Sequence, residues 1–244
     1  MRAAYVQKHP DGRFLNANGF TAFERSRALG YDMRTFVSGD LDTLSLSPES
    51  VVVGHIKTVW RALAKLGVPQ PPYLLTPERL KPFLGRDEWT TMLGKVRRLE
   101  QVPVFIKPLE RGNAFSGHVV SAFRDLLETS AWPDDLPLLA QTPITFKSEW
   151  RAFMLKGGVL GVGHYYGDPL RFPDAAVVRA VLNAYAAAPV GYAFDVYVSK
   201  AGETLLVELN DGYALGCYGL PAHLYVRLLE ARWDELSAAR FEAA

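Results

Sequence analysis

Apolar and polar residues follow two rhythms along this chain. Up to about Pro72, short apolar runs alternate with helical patterns. Ala3–Gln7 and the β-branched run Val51–Val53 predict buried strands. Gly19–Leu29 and Ile56–Leu66 predict amphipathic helices, ended by Gly30 and Gly67. Phe20, Phe23 and Leu29 are the expected buried side of the first helix. Strands alternating with helices predict a small parallel sheet. The proline-dense GVPQPPY that follows predicts a stiff, extended connector between domains.

Beyond it the rhythm shifts to period two. Pro103–Lys107 and Gly117–Ala122 predict a hairpin around the polar loop Leu109–Ser116, and Leu138–Ile144 is a further apolar run. Trp150–Leu155 and Val159–Tyr165 predict a second hairpin around Lys156-Gly157-Gly158. A helix over Ala175–Ala187 precedes a third hairpin, Ala193–Val198 with Thr204–Leu209, turning through Ser199–Glu203. A final helix from about Pro221 carries Leu224, Val226, Leu228, Leu229 and Trp233, so it packs on its own domain. Three hairpins after an α/β start predict an α+β fold.

Composition narrows the function. At 244 residues, about 1.6 times a typical domain of roughly 150, the chain makes one large domain or two small ones. Its 49% apolar and 22% charged residues exclude disorder. Lys+Arg minus Asp+Glu is 27 − 26 = +1, which disfavours nucleic-acid or anionic-membrane partners. The single cysteine, Cys217, excludes an intrachain disulfide and a cysteine-rich zinc site, and it is expected to be structural. No apolar run reaches the roughly 18 residues of a membrane span. The N-terminal MRAAYVQKHPDG lacks a signal peptide's apolar stretch, so the expected location is cytoplasmic. The five histidines show no metal or triad grouping.

Candidate chemistry concentrates in the hairpins. In Thr204–Asn210 alternation puts Glu208 and Asn210 on one face and Val207 and Leu209 on the other. With a loop of Lys200–Glu203, Asp195 faces Glu208 with β-carbons about 5 Å apart; a one-residue slip would separate them. Two such carboxylates with an amide are either solvated on an exposed face or a hard oxygen site of the kind Mg²⁺ prefers. Lys107 stands at the base of the LERGNAFSG loop, which is either an exposed hairpin tip or a flap whose backbone wraps a phosphate. Glu149 and Arg151 share a face, as a surface ion pair or with Arg151 clamping an oxyanion. His164-Tyr165-Tyr166 either line a pocket or pack at its rim.

In this order the pieces resemble the ATP-grasp superfamily from about Gly54 to Asn210. They are Lys57 in HIKTVWRALAKLGVPQPP, PVFIKP with Lys107, the flap through Ser116-Gly117, LLAQTPI, SEWRAF, and FDVYV followed by VELND. The likeness is nearest to a compact bacterial and phage clade of unknown substrate. It implies a small α/β domain over 1–72, then an ATP-grasp domain over 73–244. Within the latter, two α+β subdomains clamp the nucleotide: 73–140 with the phosphate flap and 141–244 with the metal site. Lys57 and Lys107 match the lysines on the ATP phosphates, with Ser116 and Gly117 in the flap. The backbone at Gln141, Thr142 and Ile144 matches the adenine-reading hinge, and Glu149 a position near the ribose. Arg151 matches the arginine facing the reacting phosphoryl group, with Lys107 its catalytic partner. Asp195, Glu208 and Asn210 match the Mg²⁺ ligands. Two positions depart from the common pattern: Ile56 replaces an Asp, and Gln141 the hinge acid. The implied activity is ATP- and Mg²⁺-dependent ligation of small-molecule or peptide carboxylates to amines or thiols through an acylphosphate. Phosphotransfer onto a hydroxyl and non-catalytic nucleotide binding are the alternatives.

Overall fold

The computed structural model describes residues 2–109 and 114–238. Three sheets organise it. The first is parallel, in the order β2-β1-β3, from β1 (Ala3–Gln7), β2 (Asp32–Phe36) and β3 (Val51–Val53). Helix α1 (Ala17–Ala28) connects β1 to β2 and helix α2 (Ile56–Lys65) follows β3, and Gly30 and Gly67 follow them at φ of 81° and 76°. The strand β2 has no counterpart in the apolar pattern. Its DMRTF, on one edge of the sheet, buries only Phe36.

Burial in α1 differs from expectation. The inward residues are Gly19, Ala22 and Ser26, while Phe20 and Leu29 are 52% and 44% exposed. Small residues let α1 approach the last helix, α5 (Ala222–Ala238), where Ala22 packs with Tyr225, Leu228 and Leu229. Phe20 and Phe23 instead gather around Phe14, whose ring lies 4.3 Å from Lys8 Nζ.

The second sheet is antiparallel, in the order β4-β7-β5-β6, from β4 (Glu88–Met92), β5 (Val104–Pro108), β6 (His118–Val120) and β7 (Pro137–Gln141), with the short helix α3 (Leu93–Arg97). The strand β4 is a second element the pattern does not reveal, since EWTTM buries none of its side chains fully. The apolar run at Leu138–Ile144 stops being strand at Gln141.

The third sheet, also antiparallel, runs β11-β10-β8-β9, from β8 (Ser148–Leu155), β9 (Gly158–Gly167), β10 (Gly191–Val198) and β11 (Thr204–Asp211). One face packs Trp150, Ala152, Met154, Phe194, Val196, Leu206 and Leu209 against Val178 and Val181 of α4 (Ala175–Ala184). That helix ends three residues before the expected Ala187, with Tyr185 as its cap. The other face carries Glu149, Arg151 and Asp195.

The long C-terminal helix ties the layers together. Its Trp233 and Leu236 complete the core of the first sheet with Tyr5, Val52 and Leu63. Arg232 donates bidentately to Asp211 at the end of β11, at 2.6 and 2.7 Å. No helix among the described residues is long and apolar enough to cross a membrane.

Trp233 is 1% exposed and bridges α5 to the parallel sheet. Trp233→Ala should cost about 3–5 kcal/mol. Chemical denaturation should read this as a lower midpoint, and an unchanged midpoint would show that α5 does not share the first core.

Candidate functional site

The expected Asp195–Glu208 pairing exists, but a bulge produces it. The turn is Ser199–Glu203, so Val198 pairs with Thr204 and Val196 with Leu206. Continued unbroken, this register would set Asp195 opposite Val207. The irregularity between Asp195 and Val196 displaces Val207 and brings Asp195 opposite Glu208. Val207 therefore departs from the expected alternation: it lines the same cavity as Glu208, while Leu206 and Leu209 take the core.

Asp195 is 2% exposed and sits beside Arg151 of β8, its register partner. Arg151 Nε and one terminal nitrogen each donate to Asp195 at 2.7 Å, and Asn210 Nδ2 donates to the same carboxylate at 3.0 Å. Burial lifts the Asp195 carboxyl above the ordinary range, against the pull of Arg151 and Asn210. Burial also works against the charge on Arg151, but Asp195 outweighs it and holds the guanidinium above its usual value.

A second ion pair crosses between the sheets. In β5, Val104, Ile106 and Pro108 are buried, so Lys107 projects from the opposite face. Its Nζ donates to Glu208 Oε2 at 2.9 Å and lies 5.5 Å from the Tyr73 ring centroid. Burial opposes the ammonium charge here too, and Glu208 followed by Tyr73 outweighs it.

Between the two antiparallel sheets lies a cavity of about 740 Å³. Lys107, Ser116, Gly117, Gln141, Thr142, Ile144, Glu149 and Glu208 all line it. Arg151, Asp195 and Asn210 lie behind this lining, joined through the hydrogen bonds above. The structure thus brings together eleven of the twelve residues singled out in the sequence. Lys57 is the exception: it is exposed on α2 and does not line the cavity. Its neighbours Ile56 and Trp60 line a separate cavity of about 310 Å³ that shares only Tyr73 with the main one. Residues 110–113 of the expected flap lie outside the described residues.

The end of β7 is reinforced by a residue that no sequence pattern marks. Arg86 donates to the carbonyls of Leu84 at 3.1 Å, and of Leu206 and Val207 at 2.7 Å, and to Gln141 Oε1 at 3.3 Å. One side chain thereby holds the bulge beside Glu208 to the end of β7. Gln141 Nε2 in turn donates to Glu88 Oε2 at 2.5 Å, and the Thr142 N–H donates to the Asp87 carbonyl at 3.1 Å. No motif marks Arg86 in LGRDEW. Tyr73, Phe105, Phe146 and Tyr165 are further lining residues, of which the sequence pattern singles out only Tyr165.

The donor set suits a hard divalent cation. Among the described residues no group of three or more His, Cys, Asp or Glu side chains forms a metal cluster. The candidate ligands are instead two carboxylates and an amide, all oxygen donors. Their field is felt at Glu149, whose carboxyl is pushed up to about 7 by burial, then by Asp195 and Glu208, with Arg151 opposing. A divalent ion among these carboxylates would relieve their mutual repulsion.

The sequence model of the ATP-grasp domain, R2K clade family 2, matches residues 83–228, more than half of the chain. The chain belongs to this family. No curated protein matches it by sequence. Among solved structures it is similar to a D-alanine–D-alanine ligase from Bacillus anthracis, with 13% identity, a TM-score of 0.58 and 99% of both chains covered. It is also similar to an ATP-grasp RimK domain protein from Sphaerobacter thermophilus, with 14% identity, a TM-score of 0.57, and 97% of this chain and 99% of that one covered. An L-amino acid ligase from Bacillus licheniformis gives 12% identity and a TM-score of 0.60, with 96% of this chain and 75% of that one covered. The architecture is the α+β ATP-grasp fold.

Two predictions follow from this geometry. Arg151→Met leaves Asp195 buried and unpaired and should cost about 3–5 kcal/mol, while Arg151→Met with Asp195→Leu should recover much of it; denaturant melts of both variants check this. For Glu149 the unfolded chain gives up its proton near 4.5 and the folded chain near 7. The folded state therefore binds more protons between those values, and stability falls as pH rises across that window. In EDTA, Glu149→Gln should melt above wild type at pH 8, and the gap should narrow as pH falls and close only below about pH 4.5. A pH-independent gap would contradict the assignment.

Proposed function

We propose that the chain is an ATP- and Mg²⁺-dependent ligase that joins a carboxylate to an amine. The observation that carries this reading is the pair of cation–carboxylate contacts at one side of the cavity, Lys107 with Glu208 and Arg151 with Asp195. Each joins a cation suited to phosphate with a carboxylate suited to Mg²⁺. Phosphate on the cations alone would strand two carboxylates, and filling the carboxylates alone would strand two cations. A Mg²⁺-bound nucleotide triphosphate meets both needs together.

In this reading residues 1–72 form the preceding α/β domain, 73–140 and 141–244 are the two lobes, and the nucleotide lies between them. Gln141, Thr142 and Ile144 border the base, Glu149 the ribose, and Ser116 and Gly117 cover the phosphates. Asp195, Glu208 and Asn210 would hold Mg²⁺, which would supply positive charge to neutralise the phosphates. Lys107 holds the phosphate tail, and Arg151 stabilises the transferring phosphoryl group, whose charge spreads over its oxygens. The acid's oxygen takes the γ-phosphoryl group and ADP leaves. The amine then attacks the acyl carbon, phosphate departs, and the amine proton is released. Exclusion of water by the flap protects the acylphosphate. The similar structures that are ligases of D-alanine and of L-amino acids support this reading.

The test is ADP release across a panel of carboxylic acids and amines. Sustained release over many turnovers should require one of each and should disappear in Glu208→Gln, whose circular dichroism matches wild type. Normal turnover in Glu208→Gln would remove the metal assignment. Release that needs only a hydroxyl compound would replace ligation by phosphotransfer.

A further inference from the structure

Two tyrosines that nothing above assigns flank one side of Arg151. Its guanidinium carbon lies 4.8 Å from the Tyr218 ring centroid and 5.3 Å from that of Tyr165. The two rings are themselves 4.6 Å apart and tilted by 47°. Tyr165 lines the cavity, so the rings stand at the boundary between it and the buried Arg151–Asp195 pair. Burial, then a hydrogen bond with Tyr218, pushes the Tyr165 hydroxyl up to about 12, which keeps the ring neutral beside the guanidinium.

Three local features seat Tyr218 in this position. Its φ is 37°, in the left-handed region that a bulky side chain avoids, and such strain gathers where the surrounding structure demands it. Gly163, the register partner of Arg151, is where a β-carbon would come within 2.2 Å of the Tyr218 carbonyl oxygen. At Gly216 a β-carbon would lie 2.5 Å from the Tyr218 ring. The preceding residue is anchored as well, since the Cys217 N–H donates to Asn18 Oδ1 at 2.9 Å. Core packing alone does not require a half-exposed ring to be held this way.

We infer that Tyr218, with Tyr165, is a positioning residue that fixes the plane of the Arg151 guanidinium for the terminal phosphate of the nucleotide. The inference rests on the nucleotide reading above. Asp195 takes two of the five N–H donors of Arg151, and the ring faces determine where the others point. Stacking on an aromatic face also offsets part of the cost of burying the cation.

Titration calorimetry with Mg·ATP and Mg·ADP separates this role from mere packing. ATP carries the terminal phosphate and ADP lacks it, so the ratio of their affinities reports on Arg151. Tyr218→Leu should lower the ATP:ADP preference by roughly three- to thirtyfold, while Tyr218→Phe, which keeps the stack, should retain it. If Tyr218→Leu does not fold, Tyr165→Leu removes the other ring and carries the same comparison. A Leu variant with the wild-type ratio overturns the inference. So does a wild-type chain that binds both nucleotides equally, although nucleotide binding would then still stand. A wild-type chain that binds neither overturns the nucleotide reading and this inference with it.

Discussion

A guanidinium and a carboxylate buried side by side in adjacent strands must pair, or the sheet cannot close around them. Arg151 and Asp195 meet this constraint through register: β8 and β10 set them opposite each other. Leaving either charge alone would cost more than most single side chains contribute to stability. Everything else at the site is arranged around this pair. Asn210 completes the carboxylate's hydrogen bonds, the bulge in β11 brings up Glu208, and two tyrosines close over the guanidinium.

The rest of the fold holds two such charged surfaces face to face. The second sheet buries Val104 and Ile106 and presents Lys107. The third buries its apolar face under α4 and presents Glu149, Arg151 and Asp195. Arg86 joins the bulge of one sheet to the last residue of a strand in the other, so the candidate hinge and the candidate metal strand share a contact. The C-terminal helix fixes the end of β11 through Arg232 and Asp211 while completing the core of the parallel sheet.

Much of this was legible in the sequence because period-two alternation is a strong signal. It located the three hairpins and the strands β1 and β3, and it set Asp195 opposite Glu208. That last result arose from a four-residue turn with unbroken register, whereas the chain uses a five-residue turn and a bulge, and the two shifts cancel. Nothing in Leu206-Val207-Glu208 marks a bulge. Where burial is weak, pattern fails: β2 and β4 are edge strands with polar sequences, and α1 buries glycine, alanine and serine because it needs closeness rather than apolar bulk. Arg86 and Tyr218 were invisible for another reason. Their partners are backbone carbonyls and a distant guanidinium, which only the folded chain brings near. Lys57, which matches a family position, is exposed on α2 and does not line the cavity.

The central claim is that the site is charge-balanced when empty and re-balanced only by a nucleotide and a divalent cation together. Thermal melting with Mg²⁺ alone, ATP in EDTA, and Mg·ATP tests it most directly. The account predicts little change from either component alone. Mg·ATP at about 100 times its Kd should add roughly 2.7 kcal/mol, or about 5–10 °C for a chain of this size. No shift with Mg·ATP, or an equal shift with ATP in EDTA, would contradict it.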